Sequence, residues 1–239
     1  MRNSRLAWLA GLLLACMAVA RAADGPSVIE LFTSEGCSSC PPAEALLGEL
    51  ARRPDVIALA CHVDYWDGLG WRDRFAMPLC TLRQRRYVGT LRQSSAYTPQ
   101  AVIDGRYDVV GSDASGIGRR LAAPRALVWV GITPATARIR LRLPALPRRE
   151  AVDLLLLDVL PQATTTVGGG ENSGRTIHEY NIVRSLRLIG RWDGSEATRD
   201  VPLDDRAAPA AAWAVLAQRV SDGVIVAAGW LREGSAEQR

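Results

Sequence analysis

The sequence predicts an α/β protein: a mixed sheet flanked by helices over residues 24–123, followed by a β-rich C-terminal region over residues 125–235. Three observations carry this. Residues 27–123 alternate short apolar runs with helical stretches in the order β-α-β-α-β-β-α. From Pro124 the period changes. Ala137, Ile139, Leu141 and Leu143 alternate with Arg138, Arg140 and Arg142, as in a strand with one face in water. The composition of the 239 residues, 48% apolar and 23% charged, is enough for a real core.

Each element has its own signal. Residues 27–33 (SVIELFT) read as a strand. Residues 40–50 read as a helix, with Pro41 and Pro42 in its first turn and Leu46, Leu47 and Leu50 on one face. Residues 55–63 read as a buried strand, and residues 79–91 as a helix with Leu82, Tyr87, Val88 and Leu91 at its apolar positions. Residues 100–103 and 107–110 flank Asp104-Gly105, a two-residue hairpin signal. Residues 115–122 close this part as a helix stopped before Pro124. Beyond it, strands are expected over 127–132, 137–143, 152–159, 177–188, 198–203, 213–218 and 224–230. About seven strands are consistent with a small β-sandwich. The pattern leaves open whether this part is a separate domain or an extension of the first sheet.

The N-terminus reads as an export signal. Arg2 and Arg5 precede an uncharged apolar stretch from Leu6 to Ala20, and Ala20-Arg21-Ala22 supplies a small-x-small cleavage site. Residues 1–22 match a secretory signal peptide and are short for a spanning helix. The expected location is the periplasm or the exterior of a bacterial cell, with no transmembrane span after cleavage. An uncleaved anchor is one alternative. A lipoprotein is another, because Leu13-Leu14-Ala15-Cys16 resembles a lipoprotein box with the lipid anchor on Cys16. Without residues 1–22 the 29 basic residues fall to 26, against 25 acidic ones. A net charge of +1 makes nucleic acid an unexpected partner. Every basic residue is Arg, which excludes lysine Schiff-base chemistry and an orthodox P-loop.

Export changes the meaning of the cysteines. Cys37, Cys40, Cys61 and Cys80 remain, an even count that favours disulfides over metal-held thiolates. Cys37-Ser38-Ser39-Cys40 follows a strand and opens a helix. The N–H groups of a helix N-terminus stabilise a thiolate at the first cysteine, and the thiolate is the form that attacks disulfides. Cys37 is then the nucleophile and Cys40 the resolving thiol. Glu35, if close, would oppose this by raising the thiol pKa. Two other readings compete. The pair forms a plain stabilising disulfide, or it binds metal. A metal site usually wants a second C-x-x-C or nearby histidines, and the chain has only His62 and His178. No cofactor and no resident metal are expected, because the electrons move between sulfurs.

Thr98-Pro99, just before the strand at residues 100–103, completes a pattern that resembles the thioredoxin fold. In that fold a cis-proline sits beside the cysteine pair and helps to hold an incoming extended substrate. The resemblance implies that role for Pro99, with Thr98 preceding it, and a cis Thr98–Pro99 bond. A closer resemblance covers most of the chain. Residues 28–42 (VIELFTSEGCSSCPP), 62–70 (HVDYWDGLG), 97–100 (YTPQ) and 170–184 (GENSGRTIHEYNIVR) are similar to a bacterial exported family catalogued as domain of unknown function 1223. That family carries a thioredoxin-like domain, so the resemblance implies a thioredoxin-like mixed sheet over 24–123 and the cysteine pair. It supplies no substrate. Ser38-Ser39 matches neither the Gly-Pro of reducing thioredoxins nor the Pro-His of oxidising relatives, so the direction of electron flow is open.

Other residues admit more than one role. If the first two strands are parallel, His62 and Asp64 lie at the same sheet edge as Cys37 and can assist proton transfer. Tyr65, Trp66 and Trp71 would form a substrate rim there, or simply pack the loop onto the fold. Cys61 and Cys80 form a structural disulfide, or stay as separate buried thiols, or relay electrons to Cys37. Gly169 to Thr176 comes near a P-loop pattern, but Arg175 replaces the lysine and the flanks read as strands, so a hairpin or a long loop joining two strands is expected. His178, Glu179 and Asn181 carry no assignable chemistry.

Three functions follow. The first is an exported thiol–disulfide oxidoreductase acting on protein, peptide or small-molecule disulfides with an unknown redox partner. The second is a non-catalytic thioredoxin-like binding module with a structural disulfide. The third is periplasmic copper handling through Cys37, Cys40 and His62, which needs soft ligands for Cu(I).

Overall fold

The fold is described from a computed structural model for residues 25–203 and 212–232. The expected signal peptide and Cys16 lie outside the described residues. The first part runs β1 (Ser27–Thr33), α1 (Pro41–Leu50), β2 (Val56–His62), α2 (Pro78–Thr90), β3 (Gln100–Ile103), β4 (Tyr107–Val110) and α3 (Ala114–Ala122), in the expected order. β1 and β2 are parallel, with Thr33 opposite His62, so the loops after both strands leave at one edge. β3 is antiparallel to β1, and β4 to β3. Asp104 and Gly105 take φ of 54° and 63° at the centre of the turn, but Ile103 pairs with Tyr107, so the connection has three residues, Asp104 to Arg106, where the sequence signal predicts two. The Asp104 carboxylate also accepts from Val28 N–H at 2.7 Å, tying the turn to β1.

Helix α2 corrects the expected apolar face. Leu82 is 57% exposed, and of the four apolar positions only Tyr87 is buried; its buried neighbours are Cys80, Thr81, Arg83 and Gln84. The reason is polar. Glu30 of β1 points into this side of the sheet, and Arg83 donates to both of its carboxylate oxygens. Tyr87 adds a donor to Glu30 at 2.5 Å, and Gln84 donates to Gln100 at 3.0 Å. A buried carboxylate demands partners, and they outcompete leucine for the inner face.

The second part comprises β5 (Val128–Trp129), β6 (Gly131–Ala135), β7 (Arg138–Leu143), β8 (Val152–Thr166), β9 (Thr176–Trp192), β10 (Ala197–Pro202), β11 (Ala212–Arg219) and β12 (Ile225–Arg232). The single strand expected over 127–132 is divided between β5 and β6, which belong to different sheets. β8 and β9 run to 15 and 17 residues, well beyond the expected strands, and pair antiparallel. A nine-stranded sheet has the order β4-β3-β1-β2-β9-β8-β11-β12-β5, so it spans both parts of the chain. A three-stranded sheet, β10-β7-β6, packs Ile139, Leu141 and Leu143 into one core cluster with Leu154, Leu156 and Val215 of the large sheet. Arg138 and Arg140 face outward as expected, Arg140 pairing with Asp200.

The junction of the two parts positions the cysteines. β2 and β9 share a single parallel pair, Ala60 with Ile182. Asn181 supplements it, donating from its side chain to Ala58 O at 2.9 Å. Helix α1 packs on β9 through Gly48, where a Cβ would stand 2.5 Å from the Tyr180 ring. No larger residue allows that approach, so α1 lies close against β9.

Candidate functional site

Cys37 and Cys40 are joined by a disulfide at the start of α1, with Cys40 as the capping residue before Pro41. The turn that brings them together is local. Cys37 N–H donates to Ser34 O and Cys40 N–H to Cys37 O, each at 3.1 Å. The sulfur of Cys37 lies 3.3 Å from Ser39 Oγ, which reaches Thr98 O at 3.5 Å. The Thr98–Pro99 peptide bond is cis, as expected from the sequence. Trp66 Nε1 donates to Thr98 Oγ1 at 2.9 Å, fastening the loop after β2 to the residue before Pro99. Cys37 is 0% and Cys40 1% exposed, whereas Ser38 and Ser39 are exposed.

Behind the pair lies a buried group of one imidazole and four carboxyls. His62 Nδ1 is 2.7 Å from Asp73, and its Nε2 is 3.9 Å from both Glu44 and Glu179. Glu35 joins through its main chain, donating N–H to Asp73 at 2.9 Å, and its carboxylate accepts from Trp71 Nε1 at 2.6 Å. All five of these residues are buried. Burial works against a charged imidazole, but Asp73, Glu44 and Glu179 overcome it and lift His62 to about 9. Burial raises Glu44 despite His62, and raises Glu179 to about 7. Asp73 moves the other way: burial opposes its ionisation, but the contact with His62 wins and lowers it. Arg74 lies 3.8 Å from the Glu35 carboxylate, so the His62 imidazole faces Asp73, Glu44 and Glu179. One imidazolium cannot hold all three ionised in such a space, and protons are shared among these groups near neutral pH. His62 Nε2, Glu35 Oε1 and Glu179 Oε1 have no hydrogen-bond partner among the described residues.

Asp64 and Tyr65 are drawn elsewhere. Thr81 Oγ1 donates to Asp64 at 2.5 Å, and Tyr65 OH donates to Gln84 at 3.2 Å, so both fasten the loop to α2. Cys61 and Cys80 form a second disulfide, between β2 and α2, deep among Phe32, Val63 and Tyr87. Of the three readings open from the sequence, separate buried thiols is thereby set aside. Among the described residues no three His, Cys, Asp or Glu side chains are placed to hold a metal ion. His62 Nδ1 is engaged by Asp73.

The tip of the β8–β9 hairpin also reaches the pair, a placement that no local signal indicates. Asn172 donates to Glu35 O and to Cys37 O, each at 2.9 Å. Glu171 accepts from Ser38 N–H, between the two cysteines, at 3.0 Å. The tip rests backbone to backbone on the loop after β2: a Cβ on Gly169 would stand 2.4 Å from Gly70 O. The strand flanks around residues 169–176 predict the connection between two strands, but not its place beside the cysteines. Glu44, Asp73, Glu171, Asn172 and Glu179 carry no local motif, so nothing short-range could have gathered them.

These features define a mixed α/β protein of few helices and many strands, with a C-x-x-C disulfide at the edge where its parallel strands β1 and β2 end. The chain belongs to the family described as protein of unknown function DUF1223, which it matches over residues 28–218. It is also similar to the crystal structure of a protein from Agrobacterium tumefaciens, solved within a structural genomics consortium. The two are 32% identical with a TM-score of 0.79, over 90% of this chain and 98% of that one. A search of curated proteins found no match.

Proposed function

We propose that the protein is an exported thiol–disulfide oxidoreductase whose thioredoxin-like part, residues 24–123, carries the reaction at Cys37 and Cys40. The observation that carries this reading is the placement of the disulfide. It stands at a helix N-terminus, beside a cis-proline, in front of a buried acid–imidazole group that can take up or release a proton near neutral pH. A disulfide that only stabilised the fold would have no need of buried, partly unpartnered carboxyls, which are costly. In the oxidising direction a substrate thiolate attacks Cys37 Sγ, the Cys37–Cys40 bond breaks, and Cys40 leaves as a thiolate. A second substrate thiolate then attacks the mixed disulfide and releases Cys37. The substrate leaves as a disulfide, and two electrons remain on the cysteine pair. Glu44, one helical turn after Cys40, and His62 behind it supply the proton that Cys40 takes. The extended backbone of a peptide would lie against Thr98 and Pro99. The export signal supports a periplasmic or secreted location, where such exchange takes place.

The burial of Cys37 favours a second reading, a structural disulfide in a binding module. The reduction potential separates the two. Equilibration of the mature protein in glutathione or dithiothreitol buffers, with each cysteine read by alkylation and mass spectrometry, should give about −120 to −270 mV for Cys37–Cys40. A value below about −300 mV would assign the bond to structure and end the oxidoreductase reading.

A further inference from the structure

We infer that Glu171 is a positioning residue whose charge restrains thiolate formation at Cys37, so that the C-terminal part of the chain tunes the cysteine pair from outside. The inference deepens the redox reading above and takes its purpose from it, although its measurement does not depend on turnover.

The argument starts at the start of α1. A helix N-terminus favours a nearby anion, and in a C-x-x-C pair that anion is the thiolate of the first cysteine. Here a fixed anion is already present. The Glu171 carboxylate lies 3.0 Å from the Ser38 amide, the residue next to Cys37. That hydrogen bond holds the Glu171 carboxyl below its ordinary value, so it is ionised at neutral pH. A thiolate forming at Cys37 meets a like charge across one residue, and like charges oppose each other's formation.

The tip cannot simply drift away from the new charge. Asn172 is fully buried, and its amide bridges the carbonyls of Glu35 and Cys37. Arg175 donates to the Asn172 side-chain oxygen at 3.1 Å and fixes the amide's orientation. Gly169 and Gly170 lie against Gly70 and Trp71 with no room for a Cβ on Gly169. The neighbouring segment thus keeps Glu171 in register with the cysteine loop. Other charges also surround the pair. Glu35 precedes it, Glu44 stands on α1, His62 on β2, Asp73 and Arg74 on the loop after β2, and Glu179 on β9. All of them are common to the wild type and a Glu171 variant, so they cancel in a comparison of the two.

Glu171→Gln is the deciding variant, because an amide oxygen still accepts from Ser38 N–H while the charge is gone. The wild type and the variant are reduced with dithiothreitol, whose dithiol gives up two electrons and becomes its cyclic disulfide as the Cys37–Cys40 bond opens. After the reductant is removed, thiolate absorbance at 240 nm is followed against pH. In Glu171→Gln the midpoint for Cys37 should move to lower pH by about half a unit or more, and alkylation at pH 6.5 should accelerate about threefold. The difference should shrink in 1 M salt, because a partner as exposed as Glu171 is screened. An unchanged midpoint would overturn the inference. So would a difference between the two proteins that 1 M salt leaves unchanged, since it would not arise from the Glu171 charge. A shifted midpoint in a protein whose potential lies below −300 mV would keep this inference and remove the oxidoreductase reading, so the two fail separately.

Discussion

Asn172 donates both of its amide hydrogens to the main chain around Cys37: one to Glu35 O and one to Cys37 O, each at 2.9 Å. The two residues lie 135 positions apart in sequence, and the asparagine is completely buried. The loop that presents the first cysteine is therefore held by a strand hairpin from the later part of the chain, which lies beside β2 in the sheet. Replacing Asn172 by alanine takes the side-chain donor from Glu35 O and leaves Cys37 O with only the Cys40 N–H. The expected loss is about 1–3 kcal/mol of stability, read as a lower urea midpoint at unchanged slope. A loss under 0.5 kcal/mol would mean that water replaces the side chain without cost.

The buried acid–imidazole group makes stability pH-dependent. Glu179 is raised from 4.5 to about 7, so its contribution is complete below pH 4.5 and is lost as the pH rises through 7. His62 is raised from 6.5 to about 9, so its contribution is present below pH 6.5 and is lost through 9. Both slopes have the same sign, and stability should decline between pH 5 and pH 9. Glu179→Gln mimics the protonated acid. It should match the wild type near pH 5 and exceed it by about 2 kcal/mol at pH 8. Denaturant titrations at several pH values test this, and two parallel curves would reject it.

Cys61–Cys80 closes a loop with a sequence separation of 19, which corresponds to about 3 kcal/mol of chain entropy. The double variant Cys61→Ala, Cys80→Ala should lose about that much stability and keep the reduction potential of Cys37–Cys40 unchanged. A displaced potential would point instead to the relay between the two pairs.

Glu30 and Arg83 form a buried ion pair completed by Tyr87 and by Gln218 of β11. Arg83→Met leaves the carboxylate without its cation and should cost about 3–5 kcal/mol. Adding Glu30→Met should recover most of that loss, since a buried pair is often no more stable than apolar side chains of similar volume. If the double variant is as unstable as the single one, the pair is needed for more than mutual neutralisation.

Local signals account for the parts of the protein that were legible in its sequence. β1, α1, the β3–β4 hairpin and α3 emerge within a residue or two of their expected bounds, because period, prolines and the Asp104-Gly105 turn act over a few residues. Cys37 and Cys40 were legible from their spacing at the start of a helix, and Pro99 because order along the chain carries the resemblance. The buried face of α2 was not legible. It depends on Glu30, 53 residues before Arg83, and on Gln218, 135 residues after it. The division of residues 127–132 between two sheets depends likewise on which strands lie beside them. Sequence by itself determined most of the elements and the cysteine pair. Tertiary structure decided what surrounds that pair: Glu44 from α1, Asp73 from a loop, Glu179 from β9 and the Glu171–Asn172 tip. Short-range patterns record which face of an element is apolar, whereas a buried charge is placed by partners that only the closed sheet brings within reach.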